Sequence, residues 1–269
     1  MKILAYDVEN LPMIGSFWGL YDQNISHKNI IEHASIISVA WGFVGEDKIS
    51  ISSIVDCKSR LERNIYDDYH PVSQFHKVLN SKDEFVLLAH NGDNFDIKKL
   101  NTAFLRHNLP PVNPRQSIDT LKEARRLFRI DSNKLDYLAR FLGVGEKLAT
   151  GGQELWNNIL QWKYPEYGTK SDKALAIQAL KHMGEYNKHD IVLLKGVFEK
   201  MRNRIRIPNA LLYVPKAGML RCPDCLSAKF SAQGYRYTTI SKIPRYKCKS
   251  CGRIFTQRTA EYRTDFRIG

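Results

Sequence analysis

The stretch Ile3-Leu4-Ala5-Tyr6-Asp7-Val8-Glu9 constrains the fold more than any other. Residues 2–8 read as a buried strand, and side chains two apart on a strand share a face, so Asp7 and Glu9 present paired carboxylates together. Such a pair is a place to hold a hard cation. Two acids near a strand end are also ordinary strand-terminus chemistry, so the metal reading requires further carboxylates from elsewhere in the chain.

Downstream, Ser35–Val44 and Lys48–Val55 are predicted strands joined by a Gly45-Glu46-Asp47 turn, after an irregular stretch to about residue 33. With residues 2–8 they make a three-strand antiparallel start. Helix is predicted over Tyr69–Ser81, a buried strand over Glu84–Ala89, and a helix of period 3.6 over Asn94–Arg106, ended by the Pro-rich loop Leu109–Pro114. Ile118 closes a short strand, and Thr120-x-x-Glu123 has the form of a capping box opening a helix over Leu121–Phe128. Lys134–Leu142 is a short helix, and Gly145–Thr169 is mostly loop with one helical turn at Glu154–Leu160. The long helix Asp172–Arg204 carries Leu180, Met183, Ile191, Leu194, Phe198 and Met201 as one apolar stripe, with Tyr186 and Asp190 stacked beside it. Antiparallel strands followed by helix-strand alternation describe an α/β fold, a mixed sheet flanked by helices.

At 269 residues the chain is long enough for one such core and a small second module. Its net charge of +13 is concentrated at the end, where residues 201–269 hold 15 Lys+Arg against 3 Asp+Glu. Four of five cysteines also lie there, in two C-x-x-C pairs, Cys222/Cys225 and Cys248/Cys251. Each pair forms a knuckle whose thiolates reach one ion, and two knuckles close a structural zinc tetrahedron; Gly252 supplies turn freedom. Tyr235–Thr239 and Arg245–Lys247 read as short strands of this zinc ribbon. The resulting domains are 1–204, a linker over 205–216 containing Pro208 and Pro215, and a basic zinc-ribbon module over 217–269. Even with the charge of bound thiolates residues 201–269 keep about +10, which favours nucleic acid as partner over a membrane. Lys229, Tyr235, Arg236, Tyr237, Arg245, Lys247 and Lys249, with Phe230 and Tyr246, interleave cations and aromatics in the pattern that contacts phosphates and stacks on bases. No secretory or membrane-spanning run is present, and the expected location is cytoplasmic, in a bacterial cell or phage-infected host. Cys57 is expected to be inert.

Three segments combine into a motif set. His90-Asn91-Gly92-Asp93-Asn94-Phe95-Asp96 places Asp96 in a first helical turn beyond a strand's carboxyl end, and Asp190 comes from the last helix, four residues after Tyr186. Asp7, Glu9, Asp96 and Asp190 with Tyr186 resemble the DEDD superfamily of 3′-to-5′ exonucleases, of ribonuclease H-like fold, in its tyrosine branch, that of family B polymerase proofreading domains. The histidine branch needs His five residues before the last Asp; that position is Glu185, and His182 and His189 are out of register. Trp18-Gly19-Leu20-Tyr21-Asp22, Ser117-Ile118-Asp119-Thr120-Leu121 and Leu135-Asp136-Tyr137-Leu138-Ala139 are similar to segments of phage and bacterial ribonuclease H-like exonucleases, a resemblance covering about residues 1–200.

That resemblance implies phosphodiester hydrolysis with two magnesium or manganese ions, which generate a nucleophile from water and neutralise the leaving oxygen. It implies that Asp7 bridges both ions, Glu9 and Asp190 bind the ion nearer the attacking water, and Asp96 holds the second through water. Tyr186 orients the water, since a phenol of ordinary pKa stays protonated at neutral pH. A single-stranded 3′ end is the implied substrate, with replication or repair proteins as further partners. Asp119 is a candidate further site residue that helix N-capping explains as well, and His90 reads as a hydrogen-bonding structural residue. Two other readings stay open on the sequence: a structure-specific endonuclease or ribonuclease using the same acids, and a non-catalytic nucleic-acid-binding protein.

Overall fold

The computed structural model describes residues 1–19, 21–22, 24–149, 151–167, 172–210, 220–238 and 242–256. The chain divides into a unit of residues Lys2–Val197 and a unit comprising Phe198–Gly269 with Met1. In chain order, the elements leading to the last helix are β1 (Lys2–Asn10), β2 (Ile14–Gly15), β3 (Ile30–Glu32), β4 (Ile36–Phe43), β5 (Ser50–Ser53), α1 (Lys58–Arg63), α2 (Tyr69–Leu79), β6 (Phe85–Ala89), α3 (Asp96–Arg106), β7 (Ser117–Asp119), α4 (Thr120–Leu127), α5 (Leu135–Phe141) and α6 (Gln153–Leu160). Helix α7 spans Lys173–Met201.

Five strands form one mixed sheet in the order β5-β4-β1-β6-β7, antiparallel on one side of β1 and parallel on the other. The alternation along β1 decides which face does what. Leu4, Tyr6 and Val8 pack with Phe75 and Leu79 of α2 and Leu100 and Phe104 of α3. On the opposite face Ile37 of β4 packs with Leu155 and Ile159 of α6 and Leu180 and Met183 of α7. The odd-numbered Asp7 and Glu9 therefore belong to the face that α7 covers. All six predicted stripe residues of α7 are buried.

Several boundaries differ from the sequence reading. The irregular stretch contains the small β2–β3 ribbon. Strand β5 stops at Ser53, because Ser53 and Asp56 form a reciprocal capping box that turns Ile54–Asp56 into a 3-10 turn. Helix α1 was not anticipated. Helix α4 is capped by Asp119, not opened by a Thr120 capping box: the Asp119 carboxylate accepts from the Leu121 and Lys122 amides. Thr120 instead donates its hydroxyl to the Ala89 carbonyl, and Glu123 pairs with Arg126.

The second unit contains a three-stranded antiparallel sheet, β10-β9-β8, of β8 (Phe230–Tyr237), β9 (Lys242–Cys248) and β10 (Ile254–Thr256). Both anticipated strands are longer than predicted, and β10 is additional. Thr239, Thr169, Leu20 and the second half of the expected linker, 211–216, lie outside the described residues. Among the described residues, no helix is long and apolar enough to cross a membrane.

Candidate active site and metal centre

The acid set is assembled from three elements of the first unit. Asp7 and Glu9 stand on β1, whose register with β4 shifts between Glu9 and Asn10 and so ends regular pairing just past the second acid. Asp190 arrives from α7. One carboxylate oxygen from each of Asp7, Glu9 and Asp190 lies within 4.8 Å of the others. Asp96 opens α3 beside this group, buried at 3% exposure, and its Oδ1 accepts the Val8 amide at 3.2 Å, between the two β1 acids. It is not one of the three that converge on a single point.

The turn that delivers Asp96 is tightly specified. Asn91 takes a positive φ of 68°, and a Cβ on Gly92 would fall 2.3 Å from that of Ala89 and 3.1 Å from the Tyr6 hydroxyl. Besides capping α4, Asp119 accepts the Asn91 amide at 3.0 Å and the Asp93 amide at 3.3 Å, tying the turn to β7. His90 hydrogen-bonds through Nδ1 to the Thr120 hydroxyl at 2.9 Å. Both residues thus serve the scaffold, His90 as its sequence reading expected and Asp119 in the capping role that reading had left open beside a site role. Cys57 sits 3.7 Å from the Ser59 hydroxyl, well outside the acid set.

Three polar partners were missed by sequence reasoning. Asn187, fully buried on α7, donates to Asp7 Oδ2 at 2.6 Å, and the Ser38 hydroxyl donates to Asn187 Oδ1 at 3.4 Å. Asn187 continues the Met183–Ile191 spacing, so a polar residue inside a buried stripe was its available signal. Lys147 donates to the Tyr186 hydroxyl at 2.8 Å and to Asp190 Oδ2 at 2.5 Å. Its loop is laid on α7 by close packing, where Val144 meets Gly196 so tightly that a Cβ there would lie 2.4 Å from Val144 Cγ1. His189 secures the same loop through the Glu146 carbonyl at 2.7 Å, which is what the histidine out of catalytic register does. A lone lysine in a loop carries no periodicity or motif that would have marked it.

The electrostatics are those of an acid pocket short of positive charge. Burial, then Asp96, Glu9 and Asp190, hold the Asp7 carboxyl well above the usual range. Burial and Asp190 push Glu9 up to about 7, and burial pushes Asp96 up to about 6 against the Val8 amide that favours its ionised form. Asp190 is raised by burial despite the Lys147 ammonium, and its Oδ1 is buried without a hydrogen-bond partner among the described residues. Burial also raises Tyr186, keeping the phenol protonated. Three converging carboxylates, Asp190 buried and Asp7 and Glu9 half-buried, with one Asp190 oxygen left unsatisfied among the described residues, fit a hard divalent cation with oxygen ligands.

The second unit holds a different donor set. The Sγ atoms of Cys222, Cys225, Cys248 and Cys251 all lie within 4.8 Å of one another, with the Cys222–Cys251 and Cys225–Cys248 pairs at 3.6 Å. Zinc–sulfur bonds of about 2.3 Å imply tetrahedral edges of about 3.8 Å, so the four thiols fit one zinc-sized ion. The two knuckles are copies. Cys222 donates to the Ser227 carbonyl and Leu226 to Cys222; Cys248 donates to Arg253 and Gly252 to Cys248. Leu226 and Gly252, at equivalent positions, both have positive φ, 62° and 75°. Burial opposes ionisation of Cys248, but the amides of Cys251 and Ser250 bring it down to about 7, whereas burial raises Cys222 and Cys251, so in the metal-free cluster Cys248 is the thiol shifted toward the thiolate that a metal ligand must be. Lys229, Tyr235, Arg236, Tyr237, Arg245, Lys247 and Lys249 are all exposed. Phe230 and Tyr246 are not free for stacking as anticipated: they pack edge to face at 5.2 Å and join Phe255 in the small core under the cysteines.

Comparison with known proteins places the fold. No curated protein matches the chain. Among solved structures it is similar to the family B DNA polymerase from the hyperthermophilic archaeon Pyrobaculum calidifontis, with a TM-score of 0.50 and 18% identity over 75% of this chain. The chain spans only 24% of that polymerase's length, and the likeness is one of fold. Residues 32–202 match the RNase_H superfamily, a span that begins after β1 and its two acids and includes Asp96, Tyr186 and Asp190. Since that match takes in more than half of the sequence and its sheet is the expected mixed one, the chain belongs to the RNase_H superfamily.

Proposed function

We propose that the protein is a metal-dependent 3′-to-5′ exonuclease of the tyrosine-type DEDD branch, and that its zinc ribbon grips the nucleic-acid strand. The observation that carries this is the convergence of Asp7, Glu9 and Asp190 within 4.8 Å, with a buried Asp190 oxygen left without a partner. The fold likeness to a family B polymerase agrees with the branch named from the Tyr186/Asp190 spacing.

Magnesium or manganese bound there would lower the pKa of water and offset charge on the leaving oxygen. Asp7, Glu9 and Asp190 would hold the first ion and Asp96, with Asp7, the second. The protein's own groups do the rest. Asn187 fixes the Asp7 carboxylate by donating to Oδ2, so its other oxygen stays available. Lys147 occupies one oxygen of Asp190 and donates to the Tyr186 hydroxyl, which leaves the phenolic proton to point at the attacking water. Tyr186 positions that water without taking its proton. A bond would form from the water oxygen to phosphorus as the bond to the 3′ oxygen breaks; the water's proton would pass to solvent, the 3′ oxygen would take one from solvent to leave as a hydroxyl, and a nucleoside 5′-monophosphate would depart from a strand one residue shorter.

The ribbon reading is supported by charge: seven exposed cationic and aromatic residues lie on a module with a large positive excess. The test is incubation of the full chain with 5′-labelled single-stranded DNA and RNA and magnesium or manganese. Stepwise shortening from the 3′ end, abolished in Asp7→Asn and at least tenfold slower in Lys147→Ala, is the expected result. Cutting of a circular single strand would replace it with the endonuclease reading, and absence of both metal binding and cleavage would leave a binding protein.

A further inference from the structure

We infer that the aromatic excursion between β1 and β4, carrying Phe17 and Trp18, is a stacking surface for the bases of single-stranded nucleic acid whose end reaches the acid cluster. The inference rests on the nuclease reading and adds the residues on which the strand's bases would stack.

The excursion leaves the sheet at Asn10, one residue after Glu9 and at the register shift. Phe17 is 56% exposed, Trp18 97% and Tyr21 83%. Isolated exposed aliphatics need no explanation, but a nearly naked indole beside a second exposed ring is large, flat surface left in water. Where the excursion begins, Asn10 and Met13 line a groove of about 550 Å³ together with Phe95, Lys98 and Lys99 of the neighbouring helix. Asn10 Oδ1 in that groove is buried and has no hydrogen-bond partner among the described residues.

The chemistry of the surroundings selects the occupant. Lys98 is held by the Asn94 amide oxygen and Lys99 lies 5.6 Å over the Phe95 ring, whereas the third cation of the groove, Arg106, is paired with Asp68; among the described residues the two lysines are thus the groove's cations without an acidic partner. Their charge suits phosphates, and the flat rings suit bases irrespective of sequence. Single strands expose base faces, whereas a duplex hides them in its own stack. A protein partner or second copy covering the rings would not need base faces, and the duplex and sedimentation arms of the test separate it.

The test uses the full chain with Asp7→Asn, so that no strand is consumed, titrated with 15-nucleotide oligo-dT and oligo-U. Trp18 is the one nearly fully exposed tryptophan of four, Trp41, Trp156 and Trp162 being half-buried, so its fluorescence reports stacking directly. Expected are quenching on binding, a Kd raised about 5- to 100-fold by Trp18→Ala, most of the affinity restored by Trp18→Phe, and no difference between variants on a blunt duplex. Unchanged affinity and quenching in Trp18→Ala would overturn the inference. So would an equal loss on duplex, or a shift from dimer to monomer on sedimentation without loss of oligonucleotide binding. If single-strand binding depends on Trp18 but protein with native Asp7 cleaves nothing, the nuclease reading fails while the stacking surface stands.

Discussion

Asp7 is held in an unfavourable state. It lies buried among Glu9, Asp96 and Asp190, with Asn187 as its hydrogen-bond donor and Lys147 directed elsewhere. Removing its charge without changing its shape is therefore expected to relieve repulsion. Asp7→Asn should raise the metal-free melting temperature by about 2–4 °C, roughly 1 kcal/mol, and should abolish the additional stabilisation given by manganese; calorimetry with and without the ion reads both. His90 offers a pH test outside the acid set. Burial pushes its pKa down to about 4, whereas an unfolded histidine titrates near 6.5. Because the folded value is depressed, the unfolded state binds the extra proton first, and the stability His90 contributes above about pH 6.5 is lost as pH falls toward 4. Urea denaturation of wild type and His90→Gln should show the wild type losing about 1–3 kcal/mol more than the variant across that window, with no further divergence above it. At this scale the sequence carried the acids well, because their types and spacings announce their chemistry. It carried their partners poorly: Asn187 and Ser38 read as polar interruptions of buried runs, and Lys147 acquires meaning only once Val144 and His189 have laid its loop against α7.

Elements with a strong period were legible. The alternation of β1, the buried run of β6 and the long stripe of α7 each bury one face whatever their neighbours do. Boundaries set by a single side-chain hydrogen bond were not. Ser53 with Asp56 ended β5 early, and Asp119 displaced Thr120 as the cap of α4 because Thr120 found the Ala89 carbonyl. The turn from β6 into α3 shows how closely an element's start can bind a functional group. A methyl at Gly92 has no space, since the Ala89 Cβ stands 2.3 Å away and is itself in the sheet. Gly92→Ala should cost about 1–3 kcal/mol of stability and, by moving Asp96 off the Val8 amide, should reduce cleavage at least tenfold while other mid-sheet substitutions of equal destabilisation do not. Parallel denaturation and rate measurements separate the two effects.

On the scale of the whole chain, charge and fold are distributed unequally, with the superfamily match covering residues 32–202 and the positive excess lying beyond it. If the ribbon grips the strand, its cations govern salt dependence and not the position of cleavage. Lys247→Ala should flatten the slope of log Kd against log salt by about 0.7 for a single strand, with cleavage products of unchanged length; fluorescence anisotropy at several salt concentrations and sequencing gels measure these. The composition signalled this module through its cysteines, yet nothing in the spacing revealed that Phe230, Tyr246 and Phe255 would be spent on a miniature core. The matched hydrogen bonds and matching backbone twist of the two knuckles carry one more implication. With halves so alike, neither has a head start, and neither owns enough thiols to keep an ion by itself. The module should answer scarcity of zinc as a switch and not a dial, letting go of its whole array of cationic side chains in one step.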